Sequence, residues 1–167
     1  MTATVSIATA TPDDAAAVAE VRNAAADALT RLHGQGHWSG FTTSHGVLRG
    51  INTSRVLVAR SGHRIIGTLR LATRRPWAID PSFFADSRRP LYLVDMAVTP
   101  SAQRQGTGRE LLRAAVKTAE EWKADAIRLD AYDHAAGAGP FYEKCGFKEV
   151  GRATYRGVPL IYYQFLL

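Results

Sequence analysis

A short apolar run, a proline, a pair of glycines and an amphipathic stretch follow one another between Leu91 and Trp122, and that order leaves few ways to fold. Leu91-Tyr-Leu-Val-Asp-Met-Ala-Val98 has the length and composition of a strand. Thr99-Pro100 ends it, because proline lacks a ladder donor and disfavours helix in the residue before it. Beyond Gln103-Arg104-Gln105-Gly106-Thr107-Gly108, the residues Leu111, Leu112, Ala115, Val116, Ala119 and Trp122 recur at helical spacing with charges between them. The spacing predicts a helix that starts at or near the glycines. Ala126–Ala131 then reads as a buried strand, and a strand, crossover helix and strand normally lie parallel and adjacent.

A helix start carries unpaired amides and a partial positive charge, and glycine lets those amides approach an anion closely. The glycines alone are weak evidence, since the chain also has Gly-x-Gly at Gly34–Gly36 and Gly137–Gly139. Only the copy at Gly106 and Gly108 stands between a strand and an amphipathic helix, behind the polar, basic run Gln103-Arg104-Gln105. It is not a P-loop, because Gly108 is followed by Arg109-Glu110 instead of Lys-Ser/Thr. Nor is it a dinucleotide fingerprint, which needs a third small residue where Leu111 stands.

The remaining elements fit one domain over residues 1–167 with a substantial core, at 46% hydrophobic content. Val5–Ala8 is a short strand, and Thr11-Pro12-Asp13-Asp14 opens a helix with a capping threonine, a proline in the first turn and two acids. A glycine-rich loop, Gly34–Gly40, leads to a second helix over Phe41–Asn52. Arg55–Arg60 and Ile65–Leu71 form a hairpin around Ser61-Gly62-His63-Arg64, with His63 a solvated turn residue. The irregular Ala72–Pro90 segment contains Trp77, Phe83 and Phe84, so it is either a self-burying cap or a pocket lining. If it lines a pocket, Asp80 and Asp86 are partners for a cationic acceptor. Two strands, Phe147–Arg152 and Leu160–Leu166, close the chain.

No stretch approaches the ~18 apolar residues of a membrane span, and the N-terminus does not read as a secretory leader. A cytoplasmic protein with no membrane partner is expected. The single cysteine, Cys145, excludes an internal disulfide and a cysteine zinc cluster. The net charge of +6 invites a nucleic-acid reading, but the basic residues are scattered and accompany no nucleic-acid signature. No nucleic-acid partner is expected; the charge suits steering of a polyphosphate ligand.

Two motifs carry a family resemblance. The run Gln103-Arg-Gln-Gly-Thr-Gly108 after Val98-Thr-Pro100 resembles the acetyl-CoA signature of the GNAT superfamily of N-acyltransferases. Some forty residues on, Phe141-Tyr-Glu-Lys-Cys-Gly-Phe147 resembles that family's last short helix, Phe-Tyr-x-x-x-Gly-Phe, and Gly146 fits a left-handed helix cap. The resemblance covers nearly the whole chain. It implies an α/β (α+β) GNAT fold: a mixed, mostly antiparallel sheet of six to seven strands with a splayed parallel pair, flanked by about four helices. It implies acetyl-CoA as co-substrate, no metal, and transfer of the acetyl group to a primary amine by direct attack.

Residue roles follow from the same likeness. Tyr142 matches the position whose hydroxyl protonates the departing sulfur. Backbone groups of Met96, Ala97 and Val98 match the pantetheine contacts, and Gln103, Arg104, Gln105, Gly106, Thr107, Gly108 and Arg109 match the pyrophosphate site. Asp95, an acid inside an apolar strand, is either the base, directly or through a water, or a residue that orients the substrate. Alternation puts it on one face with Leu91, Leu93 and Ala97, although a β-bulge, common in the family's fourth strand, would disturb that count. Trp38, Trp77 and Phe84 are acceptor-binding candidates.

Asp130, Asp133 and His134 also invite a metal or triad reading, but no second histidine stands at ligand spacing and no nucleophilic serine accompanies them. Where the family often has an asparagine in this region, the chain has Asp133-His134 followed by Ala-Gly-Ala-Gly-Pro. No histidine is spaced to activate Cys145 as a nucleophile. The acceptor is expected to be a small molecule, and the chain a monomer or homodimer. The alternatives are an acyl-CoA sensor without turnover and a protein or peptide N-acetyltransferase.

Overall fold

The structure, a computed structural model, describes residues 4–167. Seven strands form one mixed sheet in the order β1-β2-β3-β4-β5-β7-β6. They are β1 (Val5–Thr9), β2 (Arg55–Ser61), β3 (Arg64–Ala72), β4 (Pro90–Val98), β5 (Ala126–Tyr132), β6 (Lys148–Tyr155) and β7 (Val158–Leu166). The α-helices among the described residues are α1 (Ala15–His33), α2 (Ser44–Thr53), α3 (Thr107–Glu121) and α4 (Gly139–Lys144). This is the expected fold class, at the upper end of the expected strand count. The chain forms two compact units, Met1–Ala72 with Val94–Ala115 and Thr73–Leu93 with Val116–Leu167.

In the first unit, β1 and β3 run antiparallel to β2. Ala10, Ala15, Val18, Ala19, Val47, Val56 and Val58 form its buried cluster, with Leu48, Ile51 and Ile65 packed against it. Thr11 is the N-cap as expected, and with Asp14 it makes a capping box that closes a 3-10 turn at Pro12–Asp14 before α1 begins. The second helix starts later than the periodicity suggests. Thr43 is its N-cap, its side chain accepting from Gly46 N at 3.0 Å, so Phe41 and Thr42 stay in the connecting loop. Asn23 bonds both backbone groups of Thr42, at 2.9 and 2.7 Å, and thereby fixes α2 to α1.

Gly67 allows α3 to lie close to β3: a Cβ there would come within 2.9 Å of Leu111 Cδ1 and 3.2 Å of Thr107 Cγ2. By alternation, Thr68 and Arg70 point to the other side, toward α1 and α2.

In the second unit, β4 and β5 pair in parallel, Pro90–Tyr92 with Ala126–Arg128, as the crossover rule predicts. β5 and β6 each run antiparallel to β7. The β6–β7 connection is tighter than the sequence suggests, with Arg156 (φ 50°) and Gly157 (φ 81°) as the two left-handed residues of a short hairpin turn. The irregular segment before β4 folds onto this unit. Ile79 and Phe84 are buried with Tyr92 and Tyr162, and the buried Arg128 stacks 5.0 Å from the Phe84 ring and donates to Ala85 O. Among the described residues no helix is long and apolar enough to cross a membrane.

Candidate active site

The turn between β4 and α3 has the features of an anion site. Arg104 (φ 60°) and Gly106 (φ 88°) are left-handed, a backbone form found where successive amides converge on an anion. A Cβ at Gly106 would meet nothing within 4 Å, so the backbone there is open to an approaching group. α3 begins at Thr107, which puts the amides of Thr107, Gly108 and Arg109 in the first turn, where intrahelical geometry leaves them without acceptors. Thr107 is buried, whereas Gln103, Arg104, Gln105, Gly106 and Arg109 are exposed. Gln103 Nε2 donates to Val98 O at 2.9 Å and so ties the loop to the end of β4. First-turn amides without intrahelical acceptors, an open glycine and the exposed residues Arg104 and Arg109 in the same stretch suit a pyrophosphate.

Asp95 sits in the middle of β4 with φ 56°, a left-handed conformation that a non-glycine residue adopts at a cost of about 1–2 kcal/mol. Strict alternation therefore does not pass through it, and the expected grouping of Leu91, Leu93, Asp95 and Ala97 on one face is broken at this residue. Its carboxylate is gripped on both oxygens, Arg22 Nη2 donating to Oδ1 at 3.0 Å and Arg70 Nε donating to Oδ2 at 2.9 Å. These three side chains are 27–31% exposed, so the group faces a cleft. Arg70 Nη1 reaches Ser54 Oγ at 3.4 Å.

Asp95, Arg22 and Arg70 line a cavity of about 240 Å³ between α1, α2 and the sheet of the first unit. Val18, Val47 and Val56 form its apolar wall, and Arg49 and Thr53 come from α2. The sequence reading singled out Asp95 but missed the arginines. A signal existed: Arg22 lies four residues after the buried Val18, on the apolar stripe of α1, and Arg70 lies two after the buried Thr68 in β3.

Tyr142 belongs to the second unit and is 7% exposed. Its helix ends in a complete Schellman motif, in which Gly146 N bonds Glu143 O at 3.1 Å and Phe147 N bonds Tyr142 O at 3.1 Å, with Gly146 at φ 94°. The hydrophobic contact that accompanies this motif is the Tyr142–Phe147 ring pair, 5.7 Å apart. The spacing Tyr-x-x-x-Gly-Phe is thus the spacing of one helix cap, and it fixes the tyrosine. Burial pushes the Tyr142 phenol far above its ordinary range, with the charges of Asp130 and Cys145 adding to the effect, so it stays a proton-bearing donor at neutral pH. Burial likewise pushes Asp130 up, against a backbone hydrogen bond that favours its charged form.

The aromatic acceptor candidates have different surroundings. Trp38 folds back onto its own loop, donating to Gly34 O at 2.9 Å, and is not among the residues lining the cavity. Trp77 is 75% exposed, and Phe84 is buried against Tyr162 at a ring distance of 5.4 Å. Asp80 bonds Ser82 N at 2.9 Å, closing a turn.

The sequence model of the acetyltransferase (GNAT) family matches residues 19–147. The chain is similar in fold to yncA from Salmonella typhimurium, solved with its cofactor acetyl-CoA (20% identity, TM-score 0.71, covering 97% of this chain and 93% of that one). It is similar also to a ribosomal-protein-alanine N-acetyltransferase from Brucella melitensis (24% identity, TM-score 0.72, 97% and 99%). A third likeness is to an N-acetyltransferase from Staphylococcus aureus Mu50 (17% identity, TM-score 0.72, 98% and 98%). No curated protein matches the sequence.

Proposed function

The chain belongs to the acetyltransferase (GNAT) family and is an acyltransferase; from that premise we propose that it moves an acetyl group from acetyl-CoA to the primary amine of a small molecule, residues 1–167 acting as one catalytic domain. The observation that carries the cofactor half of this reading is the open, left-handed turn at Arg104–Gly106 leading into α3.

Acetyl-CoA supplies the activated acetyl group as a thioester; the protein binds it, orients the amine and handles protons. In this reading the Gln103–Gly108 amides hold the pyrophosphate, with Arg104 and Arg109 adding charge-assisted bonds. Met96, Ala97 and Val98 offer backbone groups to the pantetheine arm. Tyr142 donates its phenolic proton to the departing sulfur. Asp95 receives the proton that the acceptor ammonium must lose, directly or through a water. Its oxygens are already bonded to Arg22 and Arg70, yet each keeps a further lone-pair direction for that purpose. Trp38, Trp77 and Phe84 are proposed acceptor contacts outside the cavity lining. The location is proposed to be cytoplasmic, with a monomer or homodimer as the working unit.

Calorimetric titration of acetyl-CoA tests the cofactor half. Gly106→Val places a β-branched residue at φ 88° and a side chain where an anion approaches, and should weaken binding about tenfold, for a cost of about 1.4 kcal/mol. Equal affinity in wild type and variant would remove the pyrophosphate role from this turn.

A further inference from the structure

We propose that the amine acceptor also carries a carboxylate, as a free amino acid does, and that Arg22, Arg49 and Arg70 bind that carboxylate while Asp95 takes the ammonium. This rests on the acetyltransferase reading and names the substrate class of the same site.

Charge is the first observation. Three arginines and one carboxylate line the cavity, leaving two positive charges in excess. The hydroxyls on its wall are turned to the backbone: Thr53 Oγ1 donates to Arg49 O at 2.8 Å and Thr68 Oγ1 to Leu57 O at 3.0 Å. Guanidinium N–H groups are therefore the chief donors the cavity presents. Each guanidinium has five such donors, and those that Arg22 and Arg70 give to Asp95 leave others on both. Among the described residues Arg49 makes no ion pair. Planar guanidinium forks match a carboxylate bidentately. A polyamine, by contrast, would bring like charge toward three arginines.

Size is the second observation. At about 240 Å³ the cavity lies below the ~300–1,000 Å³ of drug-sized ligand sites. It holds a compact acceptor. Charge placement is the third: Asp95 is the one acid on the lining and is already paired with Arg22 and Arg70, whereas Arg49 has no ion pair to it, so an ammonium beside Asp95 leaves Arg49 and the remaining donors of Arg22 and Arg70 for the carboxylate. The two guanidiniums that grip Asp95 also keep it from rotating, which presents a fixed anion to the ammonium.

The test compares free amino acids with their carboxamides, which have the same amine and no negative charge, beside a polyamine such as spermidine. Initial rates of CoA thiol release should give free acids a kcat/KM at least tenfold above the matching carboxamides. Arg49→Gln, on an exposed helix position outside any ion pair, should raise KM for the acid about tenfold and collapse the preference for acid over amide. Arg70→Gln should do the same with its own thermal midpoint close to wild type; if Arg70→Gln does not fold, Arg49→Gln, at an exposed position outside any ion pair, still decides the question. Carboxamides or spermidine accepted as well as or better than the acids, or none of the three accepted, would overturn the inference. Calorimetry with acetyl-CoA on the same sample separates the two levels: binding without acid preference sinks this inference alone, and no binding sinks the transferase reading beneath it.

Discussion

Asp95 combines two unusual properties in one residue: a left-handed backbone inside a strand and a carboxylate held by arginines from α1 and β3. The ion pairs are about one-third exposed, so their net worth is small, of the order of 1 kcal/mol or less after screening. They are better understood as orienting contacts than as stabilising ones. Asp95→Ala should accordingly leave the thermal midpoint within a few degrees of wild type and lower kcat/KM by about 10²-fold or more, the lower range for a general base. A midpoint drop above about 10 °C, or full activity, would contradict that assignment. This residue also marks the limit of the sequence. An acid in an apolar strand is visible as an anomaly, but its backbone conformation and its arginine partners, 73 and 25 residues away, depend on tertiary packing that no local pattern encodes.

At the scale of elements, what was legible was whatever rests on local rules. The strand, glycine turn and helix around Gly106 and the threonine-capped, proline-led helix start at Thr11–Pro12 are cases where side-chain pattern and backbone geometry coincide. Boundaries failed where a single hydrogen bond decides them, as at Thr43, which starts α2 three residues after Phe41. The irregular Ala72–Pro90 segment stayed ambiguous because composition does not say whether an aromatic faces inward; Phe84 does and Trp77 does not. The α4 cap yields an element-level prediction. Gly146→Ala forces a Cβ into φ 94° and to 3.3 Å from Phe165, at a cost of about 1–2 kcal/mol. The thermal midpoint should fall by roughly 2–8 °C. Because Tyr142 is the third residue from that helix end, kcat should fall more than acetyl-CoA affinity does. Loss of affinity with kcat retained would show that the cap does not serve Tyr142.

For the whole molecule, buried ionisable groups set the pH response. Asp130 has its folded-state pKa raised above 3.8, chiefly by burial, so the folded state holds that proton more tightly than the unfolded chain. Its contribution to stability is therefore full below pH 3.8 and is lost as pH rises through the folded value. Tyr142 acts with the same sign in the alkaline range, starting from its unfolded value near 10. Asp130→Asn should gain stability relative to wild type as pH is raised from about 3.5 to 7 in urea titrations; a constant difference across that range would mean that Asp130 titrates alike in both states. The net charge of +6 acts at this scale too, favouring approach of an anionic co-substrate at low salt.

The most direct measurement is release of free CoA thiol from acetyl-CoA with a panel of free amino acids, carboxamides and polyamines, run on wild type and Tyr142→Phe together. The account predicts turnover by wild type, and a loss of about 10²- to 10⁴-fold in kcat for Tyr142→Phe with acetyl-CoA affinity kept. Turnover undiminished in Tyr142→Phe, or no thiol release by a wild-type protein that binds acetyl-CoA, would contradict it.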